Sequence, residues 1–216
     1  MDSNSAIIIF TKYPEPGLTK TRLIPELGPQ GAAQLHKNLV ERIVGIVSSY
    51  IKDKKVKLMI SFDHSDIKQT KNWLGSQLKF LKQKGDTLGN KMNNSLNSVL
   101  GNGVDKAILI GTDIPEISSK HLGVALTELE NYDTVLGPAS DGGYYLIGMK
   151  NNSYSSKIFQ NINWSGKSVM QKTIKNIVEL GMDYYLLDKL NDIDTSEDLK
   201  KLKQGKPKLY SEIMKG

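Results

Sequence analysis

The chain of 216 residues is short enough for a single domain, has a net charge of +6 and contains no cysteine. The lack of cysteine excludes disulfides, thiolate metal sites and a cysteine nucleophile, and three histidines are too few for a histidine-rich metal site. We expect His36 and His121 in helices and His64 in a loop, each as a surface or packing residue. The lysines are spread over many segments without interleaved aromatic residues, so we expect no nucleic-acid binding despite the basic charge.

The apolar runs of the sequence are too short for a membrane-spanning helix or a signal peptide. None approaches the roughly 20 residues of a membrane-spanning helix, and Ala6–Phe10 is too short for the apolar part of a signal peptide. We expect a cytoplasmic protein without a membrane span, built as one domain over residues 1–216. Residues 1–5 and about 204–216 are predicted to be peripheral tails.

The first predicted element is a strand over Ala6–Phe10, which is rich in β-branched residues. It leads into Thr11–Leu23, which has the composition of a loop because it contains two prolines and a glycine. Three cations, Lys12, Lys20 and Arg22, lie on this loop. A glycine for close backbone approach and cations for charge neutralisation suit a phosphate group, and an ordinary surface loop with solvated lysines is the alternative.

Helical and strand patterns alternate along the rest of the chain, which predicts an α/β fold with a mostly parallel sheet. Between the first loop and residue 100 we expect a helix opening at Gly28-Pro29, a strand over Val56–Phe62, a short helix capped by Ser65, an edge strand over Leu78–Lys84 and a helix from Leu88 to Leu100.

The segment Lys106–Ile117 organises the predicted site. Its apolar run Ala107–Ile110 fits a strand that is buried on both faces in the middle of a parallel sheet. Asp113 follows the carboxyl end of this strand, where ligands bind in open α/β sheets. We therefore predict that Asp113 anchors a metal–nucleotide site, with a turn or helix-capping role before Pro115 as the alternative. Ser118 or Ser119 is expected to cap the next helix.

A glycine-rich turn, Gly137–Gly143, separates the predicted strands Thr134–Leu136 and Tyr144–Met149. The glycines permit backbone conformations that are closed to other residues and place Asp141 on a tight turn. In a functional interpretation Asp141 contacts substrate or acts as a general base. The local sequence by itself favours the alternative, an Asp-Gly hairpin turn without a chemical role.

Trp164 lies on a predicted loop, Asn161–Ser168. Its indole would stack on a base or sugar, although half-buried packing is the commoner role of a tryptophan. A helix with one apolar face then runs from Val169 to Leu180 and ends at Gly181, and Tyr184–Leu187 is the last predicted strand.

A capping-box spacing, Thr195 and Asp198, predicts a final helix over Ser196–Leu202. Asp194 immediately precedes this cap. Hard divalent cations take oxygen ligands, often one or two carboxylates together with substrate phosphates. Asp194 would therefore complete a metal site with Asp113.

Four segments occur together in this order: FTKYPEPGLTKTRL at Phe10–Leu23, IGTDIPEIS at Ile110–Ser118, LGPASDGGYYLIGMK at Leu136–Lys150 and DIDTSEDL at Asp192–Leu199. Together they resemble the bacterial family called radical-SAM/selenodomain-associated transferase 1. That family is also classed as nucleotide-diphospho-sugar transferase-like or as an arsenosugar-biosynthesis-type glycosyltransferase. The resemblance covers roughly residues 5–203.

The resemblance implies a GT-A-like, Rossmann-type sheet with one antiparallel strand and helices on both faces. More distantly, the chain looks like nucleotidyltransferases of the molybdenum-cofactor, phospholactate-guanylyl and sugar-nucleotide types. In those relatives the first loop wraps the nucleotide phosphates, which implies phosphate binding by Lys12, Gly17, Lys20 and Arg22.

The resemblance also implies that Asp113 and Asp194 bind a divalent metal, Mg²⁺ or Mn²⁺. It makes Asp141 a candidate base and puts three residues, Gly142, Gly143 and Trp164, on the acceptor side. The chain departs from the family at Asn90, where relatives carry a carboxylate in LGER, and at Gly166-Lys167, where relatives continue WST and then proline.

These residues predict a transferase that uses a nucleotide-activated donor, with Lys20 and Arg22 sharing the electrostatic work on the phosphates. Glycosyl transfer from a nucleotide sugar to a small-molecule acceptor, with Lys20 and Asp141 as catalytic residues, is the preferred interpretation. Nucleotidyl transfer from a nucleoside triphosphate, which releases pyrophosphate, uses the same residues. A non-catalytic nucleotide-binding module is the third interpretation of the sequence.

Overall fold

The computed structural model describes residues 4–63 and 66–215. The predictions for His64 and Ser65 lie outside these ranges, and the described part of the second helix begins after an Asp66 cap. The strands are β1 Ser5–Lys12, β2 Val56–Asp63, β3 Lys79–Lys82, β4 Lys106–Ile110, β5 Thr134–Pro138, β6 Tyr144–Lys150 and β7 Tyr184–Leu186. The helices are α1 Ile24–Ile51, α2 Ile67–Leu74, α3 Leu88–Leu100, α4 Ser119–Glu128, α5 Val169–Glu179, α6 Ser196–Gly205 and α7 Pro207–Met214.

The seven described strands form one sheet in the order β3-β2-β1-β4-β6-β5-β7. Strand β6 runs antiparallel to both of its neighbours, β4 and β5, and the other pairs are parallel. The predicted α/β class, with a mostly parallel sheet and one antiparallel strand, is confirmed.

Helices cover both faces of the sheet, as predicted. Side chains alternate along β1, so that Ile7 and Ile9 pack with α1 and α4 while Ile8 packs with α3 and α5. Each of these isoleucines is fully buried. A strand that is covered on both faces needs an unbroken apolar run, which is the pattern that the sequence shows in β1 and β4.

Two glycine and proline effects shape the start of α1. Gly28, with φ 68° and ψ 167°, breaks the helix after its first turn. The proline ring of Pro29 disfavours a helical conformation in the residue before it, so the long helical segment starts at Pro29, as the sequence predicts.

The carboxyl-terminal segment is part of the fold, in contrast to the expected peripheral tail at about 204–216. Helix α7 packs against α1, Ile213 is 1% exposed, and the Asn38 side-chain amide donates to the Ile213 carbonyl at 2.8 Å. Ser5 is likewise buried in β1 and does not belong to a tail. Local sequence misses α7 because its apolar residues pack in part against the distant helix α1. Residues 1–3 of the predicted first tail lie outside the described ranges.

Candidate functional site

A cleft opens at the edge of the sheet where the carboxyl ends of β1 and β4 lie side by side. Ligands of open α/β sheets bind at such a position, because the loops that leave neighbouring strands diverge there. Three adjoining hollows of about 180, 340 and 600 Å³ make up the cleft, called here the small, side and large hollows. Asp113 lies in the wall of all three, so it is central to the cleft.

The ammonium of Lys20 joins the two carboxylates that the sequence predicts as metal ligands. Its Nζ lies 2.6 Å from Asp113 Oδ1 and 2.8 Å from Asp194 Oδ1. The backbone of Lys20 adopts a left-handed conformation, with φ 48° and ψ 42°, at the end of the first loop. The structure thus brings together Lys20, Asp113 and Asp194, but with an ammonium between the carboxylates, an arrangement that sequence reasoning missed.

Backbone contacts hold Asp194 beside Asp113. The Ile193 amide donates to the Asp113 carbonyl at 3.0 Å, which ties the segment before α6 to the loop after β4. Asp198 Oδ2 accepts from the amides of Asp194 at 3.1 Å and Thr195 at 2.8 Å. The predicted capping box of Thr195 and Asp198 is confirmed, and it fixes the position of Asp194 immediately before α6.

The charges of this cluster stabilise one another. Burial alone would raise the pKa of Asp113, but the adjacent Lys20 ammonium outweighs burial and holds this pKa below its ordinary value. Burial would likewise lower the pKa of Lys20, but Asp113 and Asp194 raise it above its ordinary value. At neutral pH Asp113 is therefore a carboxylate and Lys20 an ammonium, so the two form an ion pair.

Further cations line the small hollow. Lys12 and Arg22 are exposed there, and Lys12 Nζ donates to the Leu18 carbonyl at 2.9 Å across the first loop. Gly17, at φ +84°, makes the left-handed turn that this loop requires. The structure thus brings the predicted cations Lys12, Lys20 and Arg22 to one wall, which suits the binding of phosphate.

His36, predicted to be a surface or packing residue, lies in the wall of the small and side hollows. It is 4% exposed, and its Nε2 donates to the Lys12 carbonyl at 3.1 Å. Burial lowers the pKa of this imidazole, so it is neutral at physiological pH. No local pattern marks His36, because it lies within a helix and reaches the cleft only after α1 packs against β1.

Asp141 caps its own turn. Its Oδ1 accepts from the Gly143 amide at 2.8 Å, as expected for the turn alternative, and the residue is exposed in the wall of the large hollow. Gly142 has φ +93°, and a Cβ there would overlap the Lys167 carbonyl oxygen. The turn is therefore pressed against the loop that carries Lys167, which closes one end of the large hollow.

Asp192 is a member of the large hollow that the sequence did not single out as a site residue. Burial raises its pKa, and the neighbouring carboxylates Asp141 and Asp194 raise it further. Four carboxylates, including Asp113, thus line one hollow. An acceptor that carries hydroxyl or amino donors suits this wall better than an anion does.

Trp164 forms part of the wall of the large hollow and is also a packing residue. Its ring stacks on Phe159, with centroids 6.4 Å apart, and meets the edge of Tyr144 at 6.5 Å. A Cβ at Gly89 would overlap the indole. Trp164 is thus half-buried and packed, which is the commoner role of a tryptophan, and it also lies at the predicted acceptor side.

The side hollow lies at the carboxyl ends of β1, β2 and β3 and includes Gln83 and Asp63. The buried Gln83 amide donates to the carbonyls of Thr11 and Ser61, at 3.0 Å each, and thereby joins the ends of β1 and β2. Lys91 Nζ lies 2.9 Å from Asp63 Oδ2. Lys91 of the divergent LGNK segment thus forms an ion pair at the rim of this hollow.

The oxygens around Lys20 fit a divalent cation in chemical type. Asp113 Oδ1, Asp194 Oδ1 and the Ile193 carbonyl all lie within 2.8 Å of one positive centre, Lys20 Nζ. Within residues 4–63 and 66–215, no group of three His, Asp or Glu side chains is arranged to hold a metal ion. Two carboxylates suffice where substrate phosphates supply further ligands, as is common for Mg²⁺.

The fold and cleft define a class, the nucleotide-diphospho-sugar transferase-like α/β proteins. The chain is 33% identical to a protein from Desulfovibrio desulfuricans G20 that is provisionally described as a nucleotide-diphospho-sugar transferase. The two structures superpose with a TM-score of 0.89 over 98% of this chain and 94% of that one. The chain belongs to the bacterial family described as "Uncharacterized protein conserved in bacteria (DUF2064)", whose model matches residues 46–166.

Curated relatives are more distant. The chain is 29% identical to the 2-phospho-L-lactate guanylyltransferase of Methanocaldococcus jannaschii over 184 residues, which cover 83% of this chain and 75% of that protein. The inositol-1-phosphate CTP transferase of T. maritima shares the fold, with a TM-score of 0.58 at 14% identity over 100% and 98% of the two chains. Neither these relatives nor the family description names a radical-SAM association, so that narrower resemblance stays a prediction.

No described helix is both long and apolar enough to cross a membrane.

Proposed function

We propose that the protein is a nucleotidyltransferase that joins a nucleoside monophosphate unit from a nucleoside triphosphate to a small acceptor and releases pyrophosphate. The observation that carries this proposal is the convergence of Lys12, Lys20 and Arg22 on the small hollow beside Asp113 and Asp194. A triphosphate carries more charge than the diphosphate of a nucleotide sugar, and this wall offers three cations for it. The similarity to the guanylyltransferase of M. jannaschii supports the same reaction class.

The hollows suggest how the substrates would lie. The phosphates would occupy the small hollow, and the base would enter the side hollow, where Gln83 and Asp63 present polar atoms at the ends of the strands. The acceptor would occupy the large hollow, between Asp141 and Trp164. The small hollow and the large hollow both adjoin Asp113 and Asp194, so a donor phosphate and an acceptor bound in them would lie within reach of one another.

In this reaction an acceptor oxygen attacks the α-phosphorus, a new P–O bond forms, and the bond to the β-phosphate oxygen breaks with release of pyrophosphate. Lys12, Lys20 and Arg22 would stabilise the charge on the phosphates in the transition state. An acceptor hydroxyl would lose its proton to Asp141, which faces the large hollow. A divalent metal, when bound by Asp113 and Asp194, would add further charge neutralisation at the phosphates.

Glycosyl transfer, the interpretation that the sequence favours, is the second candidate. The similarity to the D. desulfuricans protein, at 33% identity, supports it. In that reaction the bond between the sugar and the β-phosphate breaks, and a nucleoside diphosphate leaves. The large hollow, at about 600 Å³, has room for a sugar next to an acceptor.

Product analysis separates the two reactions. The protein would be incubated with Mg²⁺ and each of the four common nucleoside triphosphates together with small alcohols and amino alcohols, the kind of acceptor that suits the large hollow, and pyrophosphate would be measured. A further set with 2-phospho-L-lactate would test an anionic acceptor that reacts through a phosphate oxygen. Parallel reactions would contain nucleotide sugars, with nucleoside diphosphate as the measured product. Pyrophosphate from one triphosphate supports the proposal, whereas nucleoside diphosphate from a nucleotide sugar would replace it with glycosyl transfer.

A variant pair shows whether the cleft carries the activity. Arg22→Ala should lower the rate strongly, and Lys172→Ala, which removes an exposed cation from α5, should not. A nucleotide that raises the melting temperature but is not turned over would favour the third interpretation, a non-catalytic nucleotide-binding module. If no nucleotide raises the melting temperature with or without metal, both enzyme proposals fall.

A further inference from the structure

The Lys20 ammonium directs its three hydrogens at oxygen atoms of the protein. An ammonium has three donors and no acceptor, and Nζ lies 2.6 Å from Asp113 Oδ1, 2.8 Å from Asp194 Oδ1 and 2.5 Å from the Ile193 carbonyl. The side chain is only 4% exposed. While these contacts persist, no hydrogen of the ammonium is left for a phosphate.

The same three oxygens make a donor set for a divalent cation, since Mg²⁺ and Mn²⁺ take carboxylate and carbonyl oxygens. An ammonium and a dication cannot share one position. We propose that Lys20 is a displaceable counterion, whose ammonium keeps a divalent metal off Asp113 and Asp194 until a polyphosphate draws it away. This inference rests on the proposed nucleotide-transferring function.

The small hollow supplies the reason for Lys20 to move. Lys12 and Arg22 line this hollow together with Lys20, so a polyphosphate bound there would offer anionic oxygens next to Nζ. The backbone of Lys20 is anchored, because its carbonyl accepts from the Leu23 amide at 2.8 Å. The ammonium would therefore shift by side-chain rotation alone, from the carboxylates to the phosphates.

This arrangement couples two ligands. Binding of the polyphosphate frees the carboxylates for the metal, and binding of the metal frees Lys20 for the polyphosphate. Thermodynamic linkage then requires each ligand to tighten the other by the same factor. A site without this lysine would bind metal whether or not nucleotide is present.

The test measures Mn²⁺ binding to the whole chain without any nucleotide, from the electron paramagnetic resonance signal of free Mn²⁺. The wild-type protein should bind Mn²⁺ weakly. Lys20→Met should bind Mn²⁺ at least about tenfold more tightly, within the range typical of coupled sites. Adding Asp113→Asn to this variant should abolish the gain, because the substitution removes a carboxylate oxygen from the donor set.

A matched control separates displacement from a general loss of positive charge. Lys172→Met removes an exposed cation from α5, and Lys172 does not line any of the three hollows. It should therefore leave Mn²⁺ affinity within about threefold of the wild-type value, as expected for a charge screened by solvent. An equal gain in both variants, or no gain in Lys20→Met, would overturn the proposal.

Lys20→Gln serves as a second neutral variant if circular dichroism shows that Lys20→Met is not folded, and the same outcomes then decide. The nucleotide-free measurement also keeps the two proposals apart. A gain in Mn²⁺ affinity without any response to nucleotide would sustain the counterion role at the carboxylates and overturn nucleotidyl transfer. Nucleotide turnover without a gain in Mn²⁺ affinity would support the proposed nucleotidyl transfer and overturn the counterion role of Lys20.

Discussion

Removal of the Lys20 ammonium should destabilise the fold by an amount that depends on pH. Lys20→Met leaves Asp113 and Asp194 facing each other without the cation that lies within 2.8 Å of both. Breaking a buried ion pair by removal of one partner costs about 3–5 kcal/mol. The Asp113 and Asp194 side chains are 47% and 35% exposed, so water screens them and we reduce the expected loss to about 1–3 kcal/mol.

The pH dependence follows from the directions of the pKa shifts. Asp113 has a lowered pKa in the folded protein, so the stability it contributes is present above its unfolded pKa of about 4 and is lost as the pH falls through the folded value. Lys20 has a raised pKa, so its contribution is present below its unfolded pKa of about 10.5 and is lost as the pH rises through the folded value. The free energy of unfolding that Lys20→Met loses relative to wild type should therefore be constant between about pH 5 and 9 and should shrink outside that window.

Urea unfolding from pH 3 to pH 10.5 measures this difference. At neutral pH the melting temperature should fall by roughly 2–12 °C, given about 2–4 °C for each kcal/mol in a chain of this size. Lys172→Met, on the exposed side of α5, is the control and should change little. A loss that is no larger than that of the control, or one that stays the same from pH 3 to pH 7, would refute the electrostatic reasoning.

Three further substitutions test the cleft. Arg22→Ala should weaken nucleotide binding by about tenfold at low salt and flatten its salt dependence, because one cation near the phosphates is lost; isothermal titration at two salt concentrations measures both. Gly142→Ala should cost about 1–3 kcal/mol in urea unfolding, because its Cβ would overlap the Lys167 carbonyl oxygen at φ +93°. Asp141→Asn should keep the turn, since its Oδ1 can still accept from the Gly143 amide, while transfer to an acceptor hydroxyl slows by about 10²-fold or more.

Each of these has a matched control or an opposing outcome. Lys172→Ala should leave nucleotide binding unchanged, and an equal effect from both variants would return the first loop to a solvated surface role. Gly205→Ala, where a Cβ would meet nothing within 4 Å, should not destabilise the protein as Gly142→Ala does. Full transfer activity in Asp141→Asn would show that Asp141 stabilises the turn and does not act as the base.

Much of the fold is predictable from local patterns. The apolar runs of β1 and β4, the helical periodicity and the capping box at Thr195 and Asp198 depend on residues close in sequence, and the structure confirms them. The family resemblance implied one antiparallel strand, and only the structure identifies that strand as β6, because strand direction is set by packing of the whole sheet. The expected tail at about 204–216 is wrong for a related reason: the apolar residues of α7 pack against α1, which is distant in the chain, as well as against α6.

Sequence alone also singled out the cations of the first loop and the carboxylates Asp113 and Asp194, which the structure brings to one cleft. Tertiary structure decided how they pair. Lys20 and Asp194 lie 174 positions apart, and they meet because strand order brings the ends of β1 and β4 together and the Ile193 amide binds the Asp113 carbonyl. Contacts of this kind leave no periodic trace in the chain, since they depend on where the sheet places its loops and not on the spacing of residues.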